Sequence, residues 1–256
     1  MSKSAKNKYD LMGKFGHTDT SDVSFRIAQC WEADGGSVLD LAYTGSDCLE
    51  RLLSHPSVDK LRDVLRFLFV SNCGLTSLPD LSIFRNLEVL DLSCNQLREI
   101  RNLPKNLREL TCSHNQIKQI ECGSELQRLK CEWNKLQHLD IPRTLVVLQC
   151  NDNMLRSISA CPEAKKVYIC NNPITRLIAP KVEHLECNRT KIQDITDFQN
   201  LQTIEMLDSG VQTIPHIRTL RTVICRKGQI STVSEKLNIG NIILNKKDVM
   251  EINIHD

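Results

Sequence analysis

Apolar residues recur along this chain in a fixed rhythm. In Leu107–Ile120 (LRELTCSHNQIKQI) the apolar positions are Leu107, Leu110, Cys112, Ile117 and Ile120, with polar residues between them. The same rhythm occupies Leu87–Ile100, Leu126–Leu139, Leu145–Ile158 and Ala164–Leu177, a period of about nineteen residues. It weakens but persists from Val182, Leu201 and Leu220, and a last copy is read at Ile239–Ile252. Upstream, Leu65–Leu78 fits, and Leu39 and Leu41 belong to a degenerate earlier copy. Within each copy the apolar positions alternate as in a short strand. One such strand cannot bury its face alone, whereas stacked copies form a continuous core. The pattern therefore predicts an α/β repeat solenoid.

Repeat length limits what lies opposite the strands. A strand and turn use about ten of nineteen residues, which leaves no room for a full helix. Pro79, Pro104, Pro142, Pro162, Pro180 and Pro215 fall in the remainder and favour extended backbone there. Only the first, longer step can hold a helix, supplied by Asp47–Pro56. Before it, Ser21 or Asp22 can cap a helix on which Val23, Ile27, Cys30 and Trp31 share one face. That helix should exit at Asp34-Gly35-Gly36 and cover the open end of the first coil. The expected organisation is a mobile tail over 1–20, a cap and degenerate first repeat over 21–64, and the repeat array over 65–256.

Over roughly residues 36–252 these segments resemble the leucine-rich-repeat family, whose unit reads LxxLxLxxNxLxxL. The pieces LPKNLREL and IPRTLVVL are similar to the short repeats of bacterial effector proteins. The resemblance implies a right-handed horseshoe with a parallel sheet on its concave face, a mostly non-helical convex side and an N-terminal capping helix. It also implies a structural ladder of Asn95, Asn115, Asn134, Asn153 and Asn172, each bonding backbone groups of adjacent turns. The ladder position decays to Thr190, Ser209, Gly228 and Lys247, so the last coils should be less regular. A pathogen effector or a viral accessory protein is the setting that such a resemblance suggests.

Composition narrows the function classes. A formal charge of +2 argues against polyanion binding by the whole surface. No apolar run is long enough to span a bilayer, and the first twenty residues lack the apolar core of a signal peptide. The expected location is cytoplasmic, or inside a host cell after delivery, with no membrane partner. Of twelve cysteines, Cys112, Cys131, Cys150, Cys187 and Cys225 share the sixth repeat position, where sister repeats carry Leu92 and Ile169. Those thiols read as small buried hydrophobes in a row. They do not converge as metal ligands would, and a reducing compartment disfavours disulfides. No metal and no cofactor are expected.

Function is sought at positions that do not repeat. The second, third, fifth, seventh and eighth positions should face the concave sheet. In the middle coils they carry Arg108, His114, Arg128, Lys130, Glu132, Trp133, Asp152, Lys166 and Tyr168. Trp, Tyr and Arg are enriched at binding hot spots. The expected function is a non-enzymatic protein-protein interaction module with a partner protein in the concavity. One alternative is a thiol enzyme using Cys94 and His114, eighth-position neighbours in adjacent coils. Effectors of this build that act as ubiquitin ligases carry an additional C-terminal domain; this chain stops after the last repeat, so that activity is not expected. Another alternative is nucleic-acid binding by Arg221, Arg226, Lys227, Lys246 and Lys247, disfavoured by Glu183, Glu186, Glu205 and Asp208 just before them. A monomer is expected, with Ile242 and Leu244 facing the core, Ile243 the other face, and Lys246 and Lys247 guarding an uncovered final strand. The alternative is a dimer through that edge.

Overall fold

The computed structural model describes residues 22–245 and 249–255, and within this range the side chains of 238–245 and 255 are not described. The tail over 1–20, Ser21 as a cap, Lys246 and Lys247, and the facing of Ile242, Ile243 and Leu244 therefore lie outside the described residues.

Each coil contributes one short strand to a continuous sheet. Strands β1 (Val38–Asp40), β2 (Phe67–Phe69), β3 (Val89–Asp91), β5 (Glu109–Thr111), β7 (Arg128–Lys130), β9 (Val147–Gln149), β11 (Lys166–Tyr168), β12 (His184–Glu186), β13 (Thr203–Glu205) and β15 (Thr222–Arg226) pair in parallel in chain order. The register aligns Leu68, Leu90, Leu110, Leu129, Leu148, Val167, Leu185, Ile204 and Val223 in one buried row. Parallel stacking is what makes the repeat necessary: each strand finds its partners one coil away, so the same apolar set must return every turn.

The opposite side is non-helical. It carries two-residue strands that pair between neighbouring coils: β4 (Glu99–Ile100) with β6 (Gln119–Ile120), β8 (His138–Leu139) with β10 (Ser157–Ile158), and β14 (Thr213–Ile214) with β16 (Thr232–Val233). A tight turn leads back to the sheet, in which the N–H of Leu107 or Leu145 bonds the carbonyl of Pro104 or Pro142. Proline thus supplies an acceptor at a position where no donor is needed.

The described helices all lie at the N-terminal end. Helix α1 (Val23–Asp34) starts at Asp22, whose carboxylate accepts from Ser24 N at 2.9 Å. It ends at Gly35 in the left-handed region, φ 68°. The next residue, Gly36, is packed so closely that a Cβ would come within 2.9 Å of the Trp31 ring. Val23, Ile27 and Cys30 are buried and Trp31 packs beside them. Helices α2 (Cys48–Ser54) and α3 (Val58–Leu61) fill the long first step, and Arg51 of α2 holds Asp22 at 2.7 Å.

The C-terminal end departs from the repeat reading. The copy expected at Ile239–Ile252 forms no coil. Strand β18 (Val249–His255) runs antiparallel against β15, and β17 (Asn238–Asn245) runs antiparallel outside β18. The final parallel strand is therefore covered by a hairpin. Buried Ile252 lies opposite Val223, and Ile254 is buried beside it. The apolar alternation of this segment fits either kind of pairing, and Lys247 continues a ninth position that has already lost its carboxamide, with the bond it makes to the neighbouring coil, at Ser209 and Gly228. An antiparallel hairpin uses the same apolar alternation without needing that bond.

Candidate functional site: the sheet face and its rim

The core behind the site is held by polar atoms as well as leucines. Asn134 Nδ2 donates to Cys112 O at 3.0 Å and Cys131 O at 3.1 Å, while its Oδ1 accepts from Ile117 N at 2.9 Å. Asn95, Asn115, Asn153 and Asn172 repeat this geometry. Thr190, at the same position, bonds only its own coil, through Cys187 O at 2.8 Å. Two sets of residues continue the work beyond what the repeat reading identified. Gln229 Nε2 reaches Met206 O at 2.8 Å, taking over from the missing asparagine one position later. The seventh-position amides Asn151 and Asn188 accept from Cys170 N at 2.7 Å and Leu207 N at 2.6 Å. For Asn188 and Gln229 the signal was available in the residue types alone, Asn or Gln beside a decayed ladder position, whereas Asn151 stands beside the intact Asn153.

Cys112, Cys131, Cys150, Cys187 and Cys225 are all buried and free. Burial is the main cause that pushes their thiols up, to about 11 at Cys225 and well above the usual value at Cys112, Cys131 and Cys150.

In front of this core, the strands set a grid. Arg128, Val147 and Lys166 lie in one row across β7, β9 and β11, and Lys130, Gln149 and Tyr168 lie in the next. Adjacent strands are about 4.8 Å apart, so Arg128 and Lys166 are separated by about twice that. Arg128 pairs with Glu109 on β5. Tyr168 packs on His184, ring centroids 5.3 Å apart, and His184 Nε2 lies 3.1 Å from Glu186 Oε1. Partial burial and the Glu186 charge push the Tyr168 phenol up. Lys130 and Lys166 are exposed and have no ion-pair partner among the described residues. Arg108 lies apart, ahead of β5, exposed and likewise without such a partner.

The eighth-position residues do not sit on strands. His114, Trp133 and Asp152 occupy a turn just past the strand ends, with φ of 58°, 55° and 56°. Their N–H groups bond the next coil, at Glu132 O, Asn151 O and Cys170 O. This fixes a rim along the sheet. From Asp152 onward the rim is tied by side chains: Asn171 to Asp152 at 2.8 Å, Arg189 to Asn171 at 3.4 Å, and Arg226 to Asp208 at 3.0 Å. That last bond is the largest cause holding the Asp208 carboxyl below its usual range. Before Asp152 the rim is aromatic. Trp133, 56% exposed, stacks on His114 with centroids 5.8 Å apart and planes 8° from parallel. Glu132, beside it, accepts from the Ser113 hydroxyl.

The structure does not join Cys94 to His114. Cys94 is exposed, and the imidazole is occupied by the Trp133 ring, with no hydrogen bond between thiol and imidazole among the described residues. The C-terminal basic cluster is also partly neutralised, because Arg226 is held by Asp208.

The family model for leucine-rich repeats (2 copies) matches residues 63–105. The chain has the leucine-rich-repeat fold. It is 26% identical over 209 residues to a probable disease resistance protein of Arabidopsis thaliana, an alignment covering 78% of this chain and 12% of that protein. The chain thus spans about an eighth of the length of the curated relative it matches. Among solved structures it is similar to YopM, a leucine-rich effector protein from Yersinia pestis, with a TM-score of 0.59, 17% identity, and coverage of 91% of this chain and 78% of that one. It is also similar to the functional domain of InlJ from Listeria monocytogenes, described as including a cysteine ladder, with a TM-score of 0.56, 20% identity, and coverage of 71% and 41%. These likenesses fix the fold of the repeat region. No described helix of the leucine-rich-repeat chain is long and apolar enough to cross a membrane.

Proposed function

We propose that this leucine-rich-repeat chain is a non-enzymatic interaction module that binds a partner protein on the concave face of its sheet and the adjoining rim. The observation that carries the reading is the Trp133–His114 stack, a large ring left more than half exposed, on the same coil as Lys130, which has no ion-pair partner among the described residues. Exposed aromatic rings of this kind are where a few residues dominate binding. Lys166 and Tyr168, two strands away, widen the contact, and Arg108, Arg128, Glu132 and Asp152 border it. A cytoplasmic or host-delivered setting and a monomeric state belong to the same reading. The likeness to an effector protein and the free state of all twelve cysteines support a reducing compartment.

The test is paired affinity capture with quantitative mass spectrometry. Wild type, Trp133→Ala, Lys130→Glu and the opposite-side control Arg156→Glu are compared as baits. Proteins held by wild type and by the control should be lost from the other two, with Trp133→Ala costing at least about 2 kcal/mol, or roughly thirtyfold, in affinity. An identical set of captured proteins from all four baits would refute the site. No specific observation favours nucleic acid as the ligand.

A further inference from the structure

A cavity of about 1120 Å³ opens on the side opposite the sheet, between the coils that start at Leu107 and Leu126. It lies at a break in the hydrogen bonding. Between the coils starting at Leu87 and Leu107, three bonds run from Gln116, Lys118 and Glu121 N to Leu97, Arg98 and Ile100 O, all at 2.9 Å. Between those starting at Leu126 and Leu145, Met154, Arg156 and Ser159 N reach Leu136, Gln137 and Leu139 O at 2.9, 2.9 and 3.0 Å. Between these two pairs, on the side opposite the sheet, only Lys135 N to Ile117 O survives among the described residues, at 2.9 Å. The carbonyls of Lys118 and Ile120 and the N–H groups of Gln137 and Asp140 have no protein partner among the described residues. Strands β6 and β8 therefore lie side by side without pairing, too close for a third strand to enter between them, and the groove runs over this seam.

The floor and walls have a distinct chemistry. Cys122 stands where the next coil places Ile141, and the smaller side chain deepens the floor. Burial, then the Asp140 charge, pushes its thiol up to about 12, so it is a neutral surface and not a nucleophile. Met154, 54% exposed, forms an apolar wall. Lys118, Lys135 and Arg143 line the groove, all exposed and with no carboxylate partner among the described residues. The lining acid Glu121 is already engaged by Arg101 at 3.6 Å.

We infer that this groove is a second docking site, for an extended acidic segment of a protein partner. The segment lies along the mouth of the groove, over the unpaired seam between β6 and β8. An apolar side chain rests over Cys122 and Ile141, and its carboxylates meet Lys118, Lys135 and Arg143. Charge complementarity gives the contact its selectivity, and the apolar floor anchors it. A nucleic acid fits less well, because the apolar floor offers nothing to phosphates and Asp140 stands among the cations. The site is independent of the concave face.

A displayed library of random peptides about eight residues long, an extended span of roughly 26 Å, provides the probe. Selection on the full chain should enrich Asp and Glu around an apolar residue. Binding of a selected peptide, read by fluorescence anisotropy, should weaken about tenfold in Lys118→Glu combined with Lys135→Glu. It should be unchanged in Trp133→Ala, and it should shift the Met154 methyl resonance of methyl-labelled protein. Both lysines are exposed, so the variant's circular dichroism should match wild type. Failure to select acidic peptides would overturn the inference. So would binding indifferent to the charge reversal, binding lost with Trp133→Ala, or displacement by a single-stranded oligonucleotide.

Discussion

Replacing Asn134 tests how the solenoid keeps its inward-turned backbone satisfied. In Asn134→Ala, Ile117 N loses its acceptor outright. The carbonyls of Cys112 and Cys131 each lose one of two amide donors, because Asn115 still bonds the first at 3.1 Å and Asn153 the second at 2.9 Å. One orphaned buried N–H costs about 1–3 kcal/mol, and two further net bonds cost about 0.5–1.5 kcal/mol each. The expected loss is therefore about 3 kcal/mol, which in a chain of this size lowers Tm by about 6–12 °C. Asn172→Ala should cost at least as much. The next coil carries Thr190, which bonds only Cys187 O, so Ile169 O has no second side-chain donor. Asn134→Asp adds a pH signature. A carboxylate facing Cys112 O and Cys131 O is repelled, so the introduced group has a folded-state pKa above its unfolded value of about 3.9. Relative to wild type at the same pH, the variant should be least destabilised below pH about 4 and should lose stability as pH rises through the raised folded value. Urea unfolding followed by circular dichroism at several pH values measures this. An Asn134→Ala midpoint equal to wild type would show that water satisfies Ile117 N and would refute the reasoning.

Two further outcomes follow from packing. Cys131→Ser should destabilise by about 1–3 kcal/mol and by more than Cys131→Ala, because a hydroxyl enters a site with no exposed surface; equal losses in urea titrations would mean that volume and not polarity governs the row. Deleting residues 238–256 removes buried Ile252 and Ile254 and opens the outer edge of β15, so the shortened chain should self-associate with rising concentration in light scattering while the full chain does not; a shortened chain that stays monomeric would deny the hairpin its capping role.

The repeat was legible because each coil buries one side only, which imposes the same apolar set on every turn. The capping helix was legible because Asp22, the apolar face and Gly35 are local signals. The hairpin was not. Period-two alternation is the same for parallel and antiparallel strands, and IGNIILN followed by VMEINIH also fits the leucine-rich phase. The better signal was Asn245-Lys246-Lys247-Asp248, a polar turn sequence between two alternating runs. The non-repeating positions were legible, but the contacts their side chains make were not. Asp152 is tied to Asn171 and Arg128 to Glu109 across coils, and only the settled register decides such pairs. The groove beside Lys118 and Lys135 left no trace in the pattern, since it follows from hydrogen bonds that two coils fail to exchange.

The rim turn carries a cost that bears on the Trp133 reading. Tyr43, Asn72, Cys94, His114, Trp133, Asp152, Asn171, Arg189 and Asp208 all have φ between 53° and 65°. For residues other than glycine, and to a lesser extent Asn and Asp, that conformation costs roughly 1–2 kcal/mol. Arg189 and Asp208 offset it in part through the ties along the C-terminal rim. Among the described residues the Trp133 side chain is tied by the stack on His114 alone. Glycine adopts the same turn without strain but loses about 0.5–1 kcal/mol of backbone entropy on folding. For the fold alone, Trp133→Gly should then be close to neutral, because relief of strain offsets the entropy and the lost stack. For partner capture it should be as damaging as Trp133→Ala. A fold unmoved in urea titration together with lost capture assigns the ring to the interface. A fold weakened by several kcal/mol would make the ring structural and remove the observation on which the interaction reading rests.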